Sequence, residues 1–416
     1  MGNSVTCDIT LSPPSANPLT NIFLALDELV PNPVDMYFGF QLRMSKAPLS
    51  LDVLRERLAA PVSRLPQLTH RLVRRNGQAR WERDEDFDIA HHVRAVRVAA
   101  AGPAQRLFDS APDPNRPRWG LWLSTGNDGT WSLHYLAHHA VHDAISMLRT
   151  LELMFSDTVP APYASGVTSA PAGWRSVPSL LPDLLKTYGP VTPWRAMEIP
   201  AEPGRRFTSR AIDLSRLRDV ARSTGATINQ VHLAAMSGAL RDWYPGGSAA
   251  ERLHALVPID TRLPGEPDTG LGNQIGFLRT PLFTELPTAR QRLNATMAAT
   301  SRHRMAGHRR AYRALAEHGS EQLTGWVVKR FTAPFTTALT VSNVRISRPL
   351  HVFGTPVDEI VPLPWLPPGE ACFTLASGYR DQFTLSALTH SGIDDAARLT
   401  DLWAQAVEEL HGEFTG

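Results

Sequence analysis

Residues 131–137 alternate, with Trp131, Leu133, Tyr135 and Ala137 on one face, and predict a strand. The period then changes. Ile145, Leu148, Leu151 and Met154 recur at helical spacing, so a helix opens at Asp143 and His138 and His139 fall at the strand end. The same alternation puts Phe38, Phe40, Leu42 and Met44 on one face of a strand over 37–44. In the second half it predicts strands over 206–214, 253–259, 273–282, 338–344, 357–363, 372–377 and 382–388. Helical spacing covers 21–29, 51–58 with Ser50 as N-cap, 214–223, 229–243, 290–316 with a break near Gly307, and 394–411. Asn76-Gly77 marks a hairpin turn before Trp81, and 126–129 joins 121–124 to 131–137.

The two halves share this mixed rhythm, and no tandem repeat is visible. The fold class is therefore α/β with mixed (α+β) sheets. Residues 157–204 concentrate proline with glycine and serine and read as an interdomain linker, with a short helix near 180–186. This divides the chain into an N-terminal unit over 1–156, opening on a loose arm at 1–17, and a C-terminal unit over 205–416.

Composition narrows the function. The chain has 416 residues, 43% of them hydrophobic and 20% charged, as in ordinary globular domains. A net charge of +2 gives no reason to expect a nucleic-acid partner. Cys7 and Cys372 lie too far apart in sequence to suggest a disulfide framework, and Cys372 sits in an apolar run as a small buried residue. No signal-peptide pattern opens the chain, and no stretch approaches the ~20 apolar residues of a transmembrane span. The expectation is a cytoplasmic protein without a transmembrane segment.

The strand-end histidines are the candidate chemistry. An imidazole titrates near neutral pH, so His139 can act as a general base, with Asp143 bracing the turn through an N–H or an arginine. Two other readings stand beside this. The pair could be satisfied polar residues, or His134, His138 and His142 could hold a metal ion, against which no second ligand cluster is seen. His91-His92 lacks a following acid and reads as surface or packing. The basic run Arg302, His303, Arg304, His308, Arg309, Arg310 and Arg313 reads as a solvated helix face or as a dock for coenzyme A phosphates or an acidic carrier.

His138-His139-Ala-Val-His-Asp143-Ala144 resembles the HHxxxDG motif shared by chloramphenicol acetyltransferases, condensation domains of peptide synthetases and bacterial wax ester synthase/diacylglycerol acyltransferases (WS/DGAT). It resembles the WS/DGAT branch over most of the chain. The similar pieces include Pro18-Leu-Thr-Asn-Ile-Phe-Leu24, Arg116-Pro-Arg-Trp-Gly-Leu-Trp122, Leu256-Val-Pro-Ile259 with Arg262, Gly272-Asn273-Gln274 and Val341-Ser-Asn-Val344. The departures are Ala144 for the motif glycine, Gln230 where many relatives have an acid, and Arg345 where a proline usually follows.

The resemblance implies two chloramphenicol-acetyltransferase-like subdomains with a tunnel between them and His139 at its middle. It implies acyl transfer from acyl-CoA, or from a carrier-protein phosphopantetheine thioester, to a hydroxyl or amine, with no bound cofactor. His139 would be the base, with His138 and Asp143 in the catalytic motif and Arg262 as the structural partner of Asp143. Ser342, Asn343 and Asn273 would line the substrate site. The polar chain and a short linker favour a small-molecule, natural-product acceptor. Wax ester or triacylglycerol synthesis from long-chain acyl-CoA is the alternative, and a non-catalytic acyl- or carrier-binding module is the reading from a different class. A monomer would suffice, since one chain carries both halves.

Overall fold

The computed structural model describes residues 13, 16–28, 30, 33–46, 48–96, 107, 112–126, 129–156, 204–243, 253–262, 272–318, 339–367, 370–393 and 395–416. The linker over 157–204, its short helix and the loose arm therefore lie largely outside the described residues.

Helix α1 (Pro18–Asp27) starts where Asn17 Oδ1 accepts the Thr20 N–H at 3.1 Å and proline takes the first helical position. Strand β1 (Tyr37–Met44) follows, then α2 (Leu51–Ser63) capped by Ser50, and the single turn α3 (Pro66–Thr69). Strands β2 (His70–Arg75) and β3 (Gln78–Arg83) form the hairpin over Asn76-Gly77, both in the left-handed region at φ 51° and 79°. After α4 (Ile89–His92) come β4 (Val93–Ala95), β5 (Trp119–Thr125), β6 (Trp131–His138) and α5 (Ala144–Phe155).

The second half holds β7 (Arg205–Asp213), α6 (Leu214–Thr224), α7 (Ile228–Trp243), β8 (His254–Asp260), β9 (Ile275–Pro281), α8 (Ala289–Ala299) and α9 (Arg302–His318). It continues with β10 (Leu339–Ile346), the short pair β11 (His351–Val352) and β12 (Thr355–Pro356), β13 (Glu359–Leu363), β14 (Cys372–Tyr379), β15 (Gln382–His390) and α10 (Leu399–Thr415).

Two sheets carry the architecture. The first runs β13-β1-β6-β5-β4 and the second β7-β15-β14-β10-β8-β9, each mixing parallel and antiparallel pairs. The class is the mixed α/β one expected. The sheets do not divide as the linker suggests. β13, expected with the C-terminal unit, pairs antiparallel with β1 in the first sheet, Gly39 opposite Leu363 through Arg43 opposite Glu359. β1 needs a partner on its free side, and the buried Ile360, Val361 and Leu363 supply one. The next strand, β14, belongs to the second sheet, so the chain returns there after Leu363.

The hydrophobic core follows this crossover. Leu256, Ile259, Phe277, Val344, Phe373 and Leu375 of the second half join the core of the first, while a separate cluster lies between the second sheet and α6, α7 and α10.

Three local expectations are corrected. The helical stretch 290–316 breaks at Thr300, not at Gly307. Thr300 leaves the helix at φ −116°, ψ 35°, its hydroxyl donates to the Thr296 carbonyl at 2.6 Å, and the Gln230 amide donates to the Thr300 carbonyl at 3.1 Å. The basic helix α9 is also not a plain solvated face, because His308 and Tyr312 are buried and Arg313 donates to Gln274 Oε1 at 2.7 Å. Finally, β10 runs on to Ile346, so Ser342 and Asn343 lie within the strand rather than at its end.

Candidate active site

Strand β6 ends at His138, and the backbone turns through 139–142 before α5. Two contacts hold that turn. The His139 N–H donates to the Met36 carbonyl at 2.8 Å, and the Ala140 N–H donates to His138 Nδ1 at 3.0 Å. His138 is fully buried, with Nε2 3.2 Å from Asp27 Oδ1, and Asp27 also pairs with Arg118. Burial raises the Asp27 carboxyl, but His138 and Arg118 outweigh it and take its pKa to about 2. His138 thus faces away from the cavity described below, and its placement is that of a brace for the His139 backbone.

His139 lies in an aromatic box. Its ring stacks on Phe23 at 4.1 Å and Phe38 at 4.6 Å, and meets Trp365 edge-on at 4.8 Å. Burial pushes its pKa down to about 4, and hydrogen bonding to its own backbone and the Asp143 charge only partly offset that. The ring is therefore neutral, able to accept a proton, across the physiological range.

Asp143 caps α5, accepting the Ser146 N–H at 2.8 Å. The same carboxylate accepts the Gln274 N–H at 2.7 Å and pairs with Arg262 Nη2 at 2.9 Å. Asp143 and Arg262 are 2% and 4% exposed. Arg262 also contacts Asp260 Oδ1 at 3.2 Å and the Gly272 carbonyl at 3.2 Å. One buried cluster thus ties the α5 start to the ends of β8 and β9. Asn273, expected among the substrate contacts, is instead fully buried beneath the turn, donating to the carbonyls of His139 at 2.7 Å and Ala140 at 3.1 Å.

Ala144 is the first helical residue after the Asp143 cap and is not among the positive-φ residues. The glycine of the HHxxxDG pattern is therefore not needed here for backbone freedom, and alanine adds only a methyl group to the cavity wall.

The cavity lies between the two sheets and measures about 100 Å³. His139, Asp143 and Ala144 line it from the first half, and Asp260, Thr340, Ser342, Asn343 and Glu370 from the second. The rest of its wall is apolar or aromatic, Phe38, Phe277, Trp365 and Phe373 among them. A second cleft of about 500 Å³ shares Asn343 and Val344 with it and carries Arg218, Arg345, Arg348 and Arg380. Asn343 Nδ2, between the two, donates to Asn229 Oδ1 at 2.7 Å.

The other histidines have separate partners. His134 Nε2 is 2.9 Å from the Ser124 hydroxyl, and His142 bridges the Tyr135 hydroxyl at 3.0 Å and Ser146 Oγ at 3.2 Å. Among the described residues no cluster of metal-ligating side chains occurs. His92 is a packing residue, stacked between Phe87 and Trp119, with Nδ1 2.9 Å from the Trp119 carbonyl, while His91 is exposed beside Asp88.

The residues that sequence reasoning missed are Phe23, Trp365, Asp27, Arg118 and Glu370. Trp365 and Glu370 fall between the strands expected over 357–363 and 372–377, where the sequence pattern predicts no element. The one available signal was a lone acid directly before the apolar run 371–376.

Two facing mixed sheets with a cavity between them and a histidine at a strand end are the fold that this chain shares with condensation domains. The first condensation domain of the calcium-dependent antibiotic synthetase shares this fold at a TM-score of 0.65 and 18% identity, over 96% of this chain and 95% of that one. Within that fold, the chain belongs to the wax ester synthase/diacylglycerol acyltransferase family: residues 18–181 match the model of its catalytic domain and 271–411 that of its C-terminal domain.

The solved wax ester synthase/diacylglycerol acyltransferase from Marinobacter aquaeolei VT8 superposes at a TM-score of 0.67, with 24% identity, over 98% of this chain and all of the other. "Probable diacylglycerol O-acyltransferase tgs2" of Mycobacterium tuberculosis is 26% identical over 53% of this chain and 57% of its own length, so the match spans little more than half of that relative. "O-acyltransferase WSD" of Acinetobacter baylyi is 24% identical over 74% of this chain and 78% of its own. No helix among the described residues is long and apolar enough to cross a membrane.

Proposed function

We propose that this chain transfers an acyl group from acyl-CoA to the hydroxyl of a long-chain alcohol or an acylglycerol, with His139 as general base. The observation that carries the reading is a neutral, boxed imidazole on the wall of a largely apolar cavity between the sheets. The names of the relatives favour wax ester or acylglycerol products over the natural-product acceptor suggested by composition. A second cleft carrying four arginines, which shares Asn343 and Val344 with the cavity, supports a coenzyme A thioester as donor, with its phosphates at the arginines and the acyl carbonyl near His139.

In this mechanism Nδ1 of His139 is sealed in the protein, which leaves Nε2 to take the hydroxyl proton. The alkoxide oxygen bonds to the thioester carbonyl carbon, the C–S bond breaks, and the imidazolium returns the proton to the thiolate. Asp143 and Arg262 hold the turn, and Ser342 and Asn343 line the path of the reacting chain.

The test is thiol release from long-chain acyl-CoA with alcohol acceptors. Acceptor-dependent release in wild type, falling ~10²–10⁴-fold in His139→Ala, is the expected result. Equal release by both proteins would remove His139 from the role of base.

The arginine cleft gives a separate expectation. Arg345→Glu should raise KM for acyl-CoA about tenfold or more, and leave KM for an acyl-pantetheine thioester without the nucleotide nearly unchanged. An equal rise for both donors would place the phosphates elsewhere.

A further inference from the structure

Glu370 is a buried acid with no salt bridge among the described residues. It begins the return of the crossover into β14 and is 4% exposed. Its Oε1 accepts the Thr340 hydroxyl at 2.8 Å, and the Thr340 carbonyl in turn accepts the Thr374 hydroxyl at 3.1 Å. Its Oε2 is shut off from solvent and has no hydrogen-bond partner among the described residues. Both Glu370 and Thr340 line the same cavity as His139. Burial pushes the carboxyl pKa up to about 8, with the Thr340 hydroxyl only partly opposing it, so at neutral pH this group is an acid that still carries its proton. The ionisable groups in its surroundings are His139, Asp143 and Asp260 on the cavity wall, the latter two paired with Arg262, Cys372 at the start of β14, and His390, which bonds the Glu370 backbone and stands beside Arg205.

An unpaired donor on an apolar wall is costly unless the ligand completes it. A plain hydrocarbon chain cannot. A chain that carries a carbonyl or ether oxygen can, and it would gain selectivity over one that lacks it.

We propose that Glu370 is a specificity residue whose carboxyl O–H donates to an oxygen carried by the bound substrate, so that the cavity prefers oxygen-bearing chains to simple alkyl ones. This rests on the acyl-transfer reading above and narrows it. Of the acceptors named there, an acylglycerol, with its ester carbonyl, fits this group and a simple fatty alcohol does not. The same chemistry could be met by an amide carbonyl of the pantetheine arm.

The test separates these sources. In the first arm the donor is fixed as acyl-CoA, and kcat/KM is compared between a 1-alkanol and a diol monoester of equal length. In the second the acceptor is fixed, and acyl-CoA is compared with an acyl thioester of ethanethiol, which has no amide. Glu370→Leu should reduce the preference for the oxygen-bearing partner about tenfold in one arm. Glu370→Gln, which keeps a neutral donor, should retain most of that preference. A change in the first arm assigns the oxygen to the acceptor, and a change in the second assigns it to the donor. Equal loss on every substrate, or no loss on any, would overturn the proposal.

A readout without turnover is the infrared band of the protonated carboxyl, identified by difference against Glu370→Gln. Adding the diol monoester or a non-reactive acyl-CoA thioether should shift that band to lower frequency. Absence of the band at pH 7, or no shift with either ligand, would sink the idea even if the acyl-transfer reading holds. A band shift in a protein that releases no thiol would preserve it while that reading fails.

Discussion

Asp143→Ala destabilises the protein by about 3–5 kcal/mol, read from denaturant unfolding, because it strips a buried cation of its nearest partner. Arg262 keeps Asp260 and the Gly272 carbonyl but loses the 2.9 Å pair, and both the Ser146 N–H that begins α5 and the Gln274 N–H lose their acceptor. Arg262→Leu should cost a similar amount by leaving two carboxylates facing each other. Since the partners come from opposite halves of the chain, the double variant Asp143→Ala/Arg262→Leu is the informative one. Its cost should be less than the sum of the singles by about 2 kcal/mol or more, as expected for a coupled buried pair. Strict additivity would show that the two residues act independently. Loss of activity in Asp143→Ala does not by itself assign a chemical role to the carboxylate, because the same change loosens the turn that carries His139.

The second large effect is with pH. The protein should lose stability steeply on acidification below about pH 6.5, the ordinary imidazole value. Burial pushes His92 and His139 down to about 4, and His134, His142 and His232 to about 3. These rings are neutral when folded and take up protons when unfolded, so between roughly pH 4 and 6.5 the unfolded chain binds more protons and stability falls as pH falls. Glu370 acts in the opposite sense. Its raised pKa lets the folded state hold a proton that the unfolded chain has released, so its contribution is lost as pH rises toward about 8. The net difference near pH 5.5 is about four protons, or at most ~5 kcal/mol per pH unit, against a typical total of ~5–15 kcal/mol. Unfolding followed by near-ultraviolet circular dichroism should show a sharp acid transition near about pH 5, and His232→Gln should shallow it by about one proton. Stability unchanged from pH 7 to 5 would mean that these histidines are hydrated rather than buried dry.

The sequence showed those parts of the site that are local. The change of period at Asp143 marks the strand end, the helix start and the histidine between them, because alternation and helical spacing are written in neighbouring residues. Most strands of both sheets were legible for the same reason. The non-local parts were not. Nothing near 359–363 says that this strand leaves its own half to pair with β1. Nothing near Asn273 says that its amide props the His139 carbonyl 134 positions away. Phe23 and Trp365 come from a helix and a loop that meet only in the folded chain. Glu370 is not legible, because a lone acid before an apolar run gives no hint that a cavity will enclose it. His138 was grouped with the chemistry because motif adjacency cannot reveal which way an imbedded ring points, and here it points at Asp27.

The passage of the chain from β13 in the first sheet to β14 in the second bears on how the two sheets can part. The chain is laced through its own reaction chamber, stitched to the first sheet by β13 and to the second by β14, with Trp365 against the imidazole midway. Jaws opening on a hinge would have to tear one of those seams. If the proposed transfer of long acyl chains holds, this lacing predicts that the chains enter and leave endwise, so that each added methylene lengthens the thread to be pulled clear before the next turnover. The expected result is a pre-steady-state burst whose following steady rate falls as the product chain grows, and a steady rate independent of chain length would count against it.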